Sequence, residues 1–223
     1  PFRGLELTNP KGLTLWNVTA EWNWAWEKKF GEWVKNELGP RWWVDHNIAT
    51  DCADVFYSAR WIFARINGLP MVNHLVSGHV FSHKSVKPEW ENLPTDSDWQ
   101  KDQRFLAALE FLLGQTFTHT LWLDSYPVAI NAAALLPGGY HLHVYGDTGH
   151  TLLIYSVGTQ PQDVPLLTLN STVPREVREM SELLFLESSV EQNSSALLRL
   201  RWPLAGIDGS LDLLPPEQMP HYS

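Results

Sequence analysis

The spacing of apolar residues changes near Pro127, and this change limits the possible folds more than any other feature of the sequence. Before it, apolar residues recur at intervals of three and four, the spacing of helices that pack on a core. After it, short apolar runs are separated by turn residues, which is typical of strands. A chain that places its helices first and antiparallel strands afterwards is expected to form an α+β domain.

Three helices are predicted before the change, over residues 17–38, over residues 52–67 and over a segment that ends before Gly114. Their predicted caps are Thr19, Thr50 or Asp51, and Ser97 or Asp98, and their stops are Gly39-Pro40, Asn67-Gly68 and Gly114. The strands are predicted over residues 140–145, 151–157, 165–169, 183–186 and 196–202, with turns at Gly146-Asp147 and Gly158-Thr159. We expect an irregular segment over residues 71–94 and a loop or extension from Pro203 onwards.

Charge and cysteine content exclude several classes of protein. The chain has 223 residues with 16 Lys+Arg and 25 Asp+Glu, which gives a net charge of −9. This acidity argues against nucleic-acid binding and against binding to an anionic membrane surface. No apolar run approaches the roughly 18 residues of a membrane-spanning helix. The single cysteine excludes an intramolecular disulfide and a cysteine-based zinc site.

Tryptophan is concentrated in the N-terminal part of the chain. Seven of the 12 tryptophans precede residue 44, and Trp22, Trp26 and Trp33 share one stripe of the first predicted helix. The stripe has two interpretations: a bulky face that packs on the body of the protein, or the aromatic wall of a groove for a sugar or a peptide. Packing is the simpler interpretation.

The position of Cys52 is the most informative detail for function. In the first turn of a helix, unpaired backbone N–H groups and the helix dipole favour a thiolate. The dipole contributes about 0.3–1 kcal/mol, and one pKa unit corresponds to about 1.36 kcal/mol. The dipole alone therefore moves the thiol pKa by less than about one unit, and a reactive cysteine needs a neighbouring imidazole.

His150 is the best candidate for that imidazole. It follows Gly149, which would allow a close approach to a neighbouring element, and it opens a predicted strand. Asn170 ends the next strand and would lie beside His150 if the two strands form a hairpin. An amide there could hold the imidazole in one tautomer, although a residue at a strand end is as easily explained by a turn.

These segments resemble the NlpC/P60 family of papain-like cysteine peptidases. Thr50-Asp51-Cys52-Ala53-Asp54-Val55, followed by Asn67-Gly68-Leu69-Pro70, is similar to the nucleophile helix of that family. Leu136-Pro137-Gly138-Gly139 is similar to the Pro-Gly-Asp turn of the family. Gly149-His150-Thr151 through Tyr155 is similar to its Gly-His strand, and Leu169-Asn170-Ser171 is similar to the segment that carries its third catalytic residue. The departures are Ala53-Asp54 in place of Ser-Gly, Thr151 in place of Val, Gly139 in place of Asp, and a long interval between Cys52 and His150.

The resemblance implies a fold, a reaction and a set of residues. The fold would be a papain-like core with N-terminal helices on a central antiparallel sheet, and the reaction would be hydrolysis of an amide bond in a bacterial cell-wall stem peptide, typically after D-glutamate. Cys52, His150 and Asn170 would be the catalytic triad, with no cofactor. The residues expected to bind substrate are Asp51, Ala53, Asp54, Tyr126, His143 and Gly149.

The same resemblance divides the chain and implies a location. Residues 1–48 would be a tryptophan-rich helical segment, residues 49–202 the NlpC/P60-like catalytic domain with an insertion over residues 71–125, and residues 203–223 a C-terminal extension. An enzyme that acts on cell wall would be periplasmic or secreted, with its signal peptide absent from this sequence. The expected partner is peptidoglycan, with neither nucleic acid nor a transmembrane segment involved.

Three other interpretations of the sequence remain open. The same cysteine and histidine could serve a transglutaminase-like enzyme or an acyltransferase, because the acyl-enzyme is common to hydrolysis and transfer. The aromatic N-terminal segment could belong to a non-enzymatic module that binds wall or glycan. His141 and His143 lie on one face of their strand and could bind a metal with Asp147, or His143 could replace His150 as the base. His74, His79 and His83 have metal-ligand spacing only if their segment is helical.

Overall fold

The computed structural model describes residues 9, 11–145, 148–158, 166–184 and 195–223. Its helices are α1 (Trp24–Glu37), α2 (Trp42–Asp45), α3 (Cys52–Asn67), α4 (Gln103–Leu113) and α5 (Thr118–Asp124). Its strands are β1 (Val72–His74), β2 (Val80–Ser82), β3 (Ser125–Pro127), β4 (Tyr140–Tyr145), β5 (Thr148–Val157), β6 (Leu166–Asn170), β7 (Ser181–Leu184), β8 (Ser195–Leu200), β9 (Pro203–Ala205) and β10 (Leu211–Leu213).

The central sheet has six strands in the order β3-β8-β4-β5-β6-β7. Each neighbouring pair is antiparallel, and β4 to β7 follow one another as a meander. The α+β class predicted from the sequence is therefore confirmed. Two small antiparallel pairs, β1-β2 and β9-β10, complete the described strands.

Helix α3 is the central helix, and its ends are as predicted. The Asp51 side chain accepts hydrogen bonds from the N–H groups of Ala53 and Asp54, and Asp54 in turn accepts from the N–H of Asp51. This reciprocal capping box fixes Cys52 as the first helical residue. At the other end Gly68 has φ +61°, and a Cβ there would lie 2.3 Å from the Thr19 hydroxyl, so only glycine fits.

The other two predicted helices are shorter than the sequence indicated. Helix α1 begins at Trp24 because the Asn23 side chain caps it, accepting a hydrogen bond from the N–H of Trp26. Thr19 does not cap it, since its N–H is hydrogen-bonded to the Gly68 carbonyl. Helix α4 begins at Gln103 because Asp102, rather than Ser97 or Asp98, accepts from the N–H of Phe105. A nearby alternative cap explains each difference.

The predicted strands correspond to β4, β5, β6, β7 and β8, with ends displaced by a few residues except in β4. The predicted turn at Gly146-Asp147 lies outside the described residues, and so does Thr159 of the predicted turn at Gly158-Thr159. Position 165 of the third predicted strand and positions 185 and 186 of the fourth also lie outside them. Residues 71–94 are more regular than expected, because they contain the β1-β2 hairpin.

The sheet packs on both faces. Strand positions Tyr140, Leu142 and Leu153 face α3 and join the larger apolar core. Ile154 and Leu197 face the other way and join a smaller cluster with Tyr126 and other side chains. Because successive side chains of a strand point to opposite faces, these contacts define which residues of β4 and β5 face α3.

Residues 71–125 pack into the same core as the rest of the chain. The carboxylate of Asp124 is fully buried at the end of α5, where it accepts hydrogen bonds from the Tyr57 hydroxyl, the Asn73 amide and the His74 ring. One carboxylate thus joins α3, α5 and the β1-β2 hairpin. The C-terminal residues are also more ordered than an extension, because β9 and β10 pair and Leu211 and Leu213 are buried against Val72.

The N-terminal tryptophans mainly pack. Trp16, Trp22 and Trp43 are buried, and the indole N–H groups of Trp16 and Trp22 donate to the carbonyls of Leu69 and Pro70. These contacts attach the N-terminal segment to the end of α3. None of the helices in the described part of the chain has the length and apolar character needed to span a membrane.

A pH effect on stability is expected from His83. This ring is buried 5.6 Å from the Trp16 ring, and burial lowers its pKa from 6.5 to about 4. Between these values the native state binds fewer protons than the unfolded state, so the free energy of unfolding falls as the pH drops from 6.5 towards about 4. The expected slope from this ring is at most about 1.4 kcal/mol per pH unit.

Urea unfolding between pH 4.5 and 7 checks this effect. His83→Gln should reduce the slope, because the substituted side chain takes up no proton in the unfolded state. His79→Gln, in the same hairpin, is the matched control and should leave the slope unchanged. Equal slopes in wild type and His83→Gln would contradict the prediction.

Candidate functional site

Cys52 is a free cysteine at the start of α3, packed against the start of β5. Its exposed fraction is 9%. The Thr151 hydroxyl donates a 2.6 Å hydrogen bond to the Cys52 carbonyl, and the backbone N–H groups of Thr151 and Ala53 act on the thiol. The helix N-terminus and one strand of the sheet therefore hold this residue together.

The electrostatic environment favours the protonated thiol. Burial raises the pKa of Cys52, and the negative charge of Asp51 raises it further, whereas the N–H groups of Thr151 and Ala53 lower it. Burial and Asp51 also raise the pKa of Asp54, to about 8, although the Arg175 guanidinium acts to lower it. Burial and Asp51 thus outweigh the effect of the helix N-terminus on the thiol pKa. Attack by Cys52 therefore needs a base that removes the proton of the thiol.

His150 directly precedes Thr151 in the chain, but its side chain lies on the other face of the sheet. Since the Thr151 side chain faces Cys52, the His150 side chain leaves β5 on the opposite face, which it shares with Ile154. The thiol meets the backbone of Thr151, which places the sulfur at the level of the strand. The hydrogen bonds that reach the thiol come from the backbone groups of Thr151 and Ala53.

Asn170 is close to His150, as the predicted hairpin requires. Strands β5 and β6 pair antiparallel, with Ile154 opposite Thr168, so Asn170 lies on the His150 face. Burial lowers the pKa of His150, while the Asn170 side chain acts to raise it. The buried Oδ1 of Asn170 accepts no well-aligned hydrogen bond from a described residue. The Asn170 amide therefore lies close to the His150 ring, but no well-aligned hydrogen bond to its Oδ1 holds the ring in one orientation.

Three imidazoles gather on this face of the sheet. His143 lies directly opposite His150 in the β4-β5 pair, and the His141 and His143 rings are 6.3 Å apart. Burial lowers the pKa of His141 to about 4, and the two neighbouring histidines lower it too. The described residues contain no group of three or more His, Cys, Asp or Glu arranged to hold a metal ion. Asp147, the third member of the predicted metal set, lies outside the described residues.

A pocket of about 370 Å³ opens beside Cys52 on the α3 side of the sheet. Its other lining residues come from the start of α3, from β5, from the β1-β2 turn, from the start of α5 and from the segment after β6: Asp51, Ala53, Gly149, Val76, Phe117, Thr118, His119 and Val173. Gly149 permits this packing, because a Cβ there would lie 3.0 Å from the Thr118 hydroxyl. The close approach predicted for Gly149 is confirmed.

A larger and more open pocket of about 690 Å³ lies at the opposite end of α3, around Arg65 and Gly68. It contains neither Cys52 nor a histidine among its described lining residues. We place the candidate site at the smaller pocket because a nucleophile lines it.

The predicted substrate-binding residues divide into two groups. Asp51, Ala53 and Gly149 line the pocket. Tyr126, Asp54 and His143 do not: Tyr126 and Asp54 are fully buried, and His143 belongs to the other face of the sheet. Tyr126 packs in the smaller apolar cluster and is not among the described lining residues of this pocket.

Sequence reasoning missed His119 and the apolar rim of the pocket. His119 is exposed and its ring stacks on Phe117, with centroids 6.0 Å apart and planes 6° from parallel. The run Phe117-Thr118-His119 follows Gly114 by three residues, so an aromatic residue and a histidine at a helix start were visible in the sequence. Their approach to Cys52 depends on how α5 packs on β5, which no local pattern indicates.

Comparison with known proteins gives no relative for this chain: no family model, no curated protein and no solved structure matches it.

Proposed function

We propose that the protein is a cysteine hydrolase of the NlpC/P60 type, which cleaves amide bonds in bacterial cell-wall stem peptides. The observation that carries the proposal is the position of the Cys52 thiol. It lies between the N-terminus of α3 and the start of β5, beside a pocket large enough for part of a peptide. Such a role would require the protein to act in the periplasm or outside the cell.

The proposed papain-like core is supported by the order of the elements. A helix that begins with cysteine packs on an antiparallel sheet, and two later strands, β5 and β6, contribute first a histidine and then an asparagine. Antiparallel pairing of β4 with β5 and of β5 with β6 brings these strands side by side. This arrangement supports the proposal that Cys52, His150 and Asn170 belong to one site.

Burial lowers the pKa of His150, so its imidazole is mainly neutral at pH 7 and can accept a proton, while the Cys52 thiol is mainly protonated. In the proposed reaction Cys52 attacks the amide carbon as its proton passes to His150, whose ring has to turn around the start of β5 to reach the thiol. The C–N bond then breaks, and the amine leaves with that proton.

Water completes the reaction. It adds to the thioester while the imidazole takes one of its protons, and the S–C bond breaks to release the acid and return the thiol. The backbone N–H of Cys52, the first of α3 and without a partner inside the helix, is suited to stabilise the oxyanion.

His150→Ala is expected to lower kcat/KM for muropeptide hydrolysis by about 10²–10⁴. Because burial lowers the pKa of His150, the wild-type rate should fall with acid only below pH 6.5. This fall in rate at acid pH should be absent in His150→Ala. The measurement is the release of new amino groups from purified muropeptides between pH 4.5 and 8.

His119→Ala is the matched comparison, since His119 is the histidine among the described lining residues of the pocket beside Cys52. The proposal expects a smaller loss for this variant than for His150→Ala. If His119→Ala lowered kcat/KM more than His150→Ala did, and also changed the fall in rate at acid pH, the base would be His119. That result would contradict the assignment of the base to His150.

A further inference from the structure

The pocket beside Cys52 has an apolar rim built from three separate segments. Val76 lies in the β1-β2 turn, Phe117 just before α5, and Val173 after β6, with exposed fractions of 47%, 42% and 70%. Exposed apolar side chains that converge on one pocket indicate a binding surface more often than chance exposure does. Here they surround the only cysteine of the chain.

The charge of the pocket has one sign. Among its described lining residues Asp51 is acidic, and there is no lysine or arginine. The negative charge of Asp51 already raises the pKa of the thiol, so the same charge would repel a substrate carboxylate. An anion bound here would lose water without gaining a charged partner, which is costly.

Arg175, two residues after the rim residue Val173, is occupied by other contacts. Arg175 makes an ion pair with Asp54 at 3.0 Å and two hydrogen bonds with Glu110 at 2.8 and 2.7 Å. These contacts direct its guanidinium towards α3 and α4. It is thus held in place and is not a lining residue of the pocket.

On the basis of the proposed amide hydrolysis, we propose that this pocket binds an uncharged, apolar side chain of the substrate next to the scissile bond. The carboxylate of a D-glutamate residue, which the family resemblance implied, finds no lysine or arginine among the described lining residues of the pocket. An apolar group would instead cover the three rim side chains and exclude water from the thiol.

The single cysteine allows a test that does not depend on catalysis. Cys52 would be alkylated with 2-iodo-N-benzylacetamide, which is neutral and apolar, and with iodoacetate, which is an anion. Each rate would be divided by the rate of the same reagent with the urea-unfolded protein. We expect the folded protein to prefer the apolar reagent by about tenfold or more on this scale. Equal normalised rates, or a preference for iodoacetate, would overturn the proposal.

A lysine at the rim should change this preference. Val76→Lys adds a cation to an exposed turn whose backbone bond, from the Val76 N–H to the Gln115 carbonyl, is retained. The matched control is Ile66→Lys, which is 49% exposed at the far end of α3, against 47% for Val76. Val76→Lys should increase the relative rate with iodoacetate several-fold and Ile66→Lys should not. Equal effects of the two variants would also overturn the proposal.

The two proposals fail in different ways. If the alkylation preference is found but no muropeptide is cleaved, the apolar pocket stands and the proposed hydrolysis is contradicted. If muropeptides are cleaved by Cys52 while the normalised alkylation rates are equal, hydrolysis stands and the apolar specificity is contradicted.

Discussion

Glu27→Gln is expected to lower the free energy of unfolding by about 3–5 kcal/mol, the usual cost of removing one partner from a buried ion pair. Glu27 is 1% exposed, and its carboxylate binds Arg60 and, at 3.1 Å, Arg199. The Trp202 indole N–H donates to it at 2.7 Å. Without this negative charge two guanidiniums would remain buried, because Arg60 and Arg199 are each only 2% exposed.

The structural reason for so large an effect is that Glu27 joins α1, α3 and β8. The Arg60 guanidinium also lies 3.4 Å from the Trp22 ring centroid, so the charge cluster continues into the aromatic packing of the N-terminal segment. Burial acts to raise the pKa of Glu27, but the two arginines outweigh it and hold the pKa below its usual value. The cluster is therefore charged at neutral pH.

Thermal and urea unfolding would measure this effect. For a chain of 223 residues, a loss of this size corresponds to a fall in Tm of roughly 10 °C. Glu32→Gln is the matched control, since Glu32 is an exposed glutamate of the same helix, and it should change stability by less than about 0.5 kcal/mol. Similar Tm values for the two variants would contradict the role assigned to the cluster.

Local signals in the sequence were sufficient to predict α3 and its ends. Asp51 and Asp54 cap the helix within four residues, and Gly68 ends it through its own backbone conformation. Neither feature depends on distant parts of the chain. The strand over Tyr140–Tyr145 was also visible in local spacing, because Tyr140, Leu142 and Val144 join the larger apolar core and alternate with His141 and His143.

The side of the sheet on which a residue lies was harder to predict. His150 was predicted to be the imidazole next to Cys52, but the hydrogen bond from Thr151 to the Cys52 carbonyl places the Thr151 side chain on the α3 side and the His150 side chain on the other. Displacement by one residue exchanges the two faces of a strand. That choice is made by tertiary packing, here by the close contact between Gly149 and Thr118, which local spacing does not reveal.

Cys52→Ala is expected to abolish turnover, with a loss on the order of 10⁶ in kcat, the scale found when the nucleophile of a catalytic triad is removed. The reason is that the proposed acyl-enzyme requires the sulfur. Kinetics of amino-group release from muropeptides would measure the loss. Cys52→Ser, which has nearly the same shape, checks that the fold survives: its Tm should be close to that of wild type while its rate is strongly reduced.

A retained rate in Cys52→Ala would show that any hydrolysis comes from other residues. A rate lost together with a large fall in Tm would instead indicate that Cys52 matters for packing, as its 9% exposure allows. The comparison of rate and Tm in the two variants separates these outcomes.

The most direct test of the proposed function is mass spectrometry of purified muropeptides after incubation with wild type and with Cys52→Ala. We expect wild type to produce stem-peptide fragments whose masses correspond to hydrolysis of one amide bond, and we expect Cys52→Ala to leave the muropeptides intact. Identical products from the two proteins, or no cleavage by wild type, would contradict the proposal that this chain is a cell-wall cysteine hydrolase.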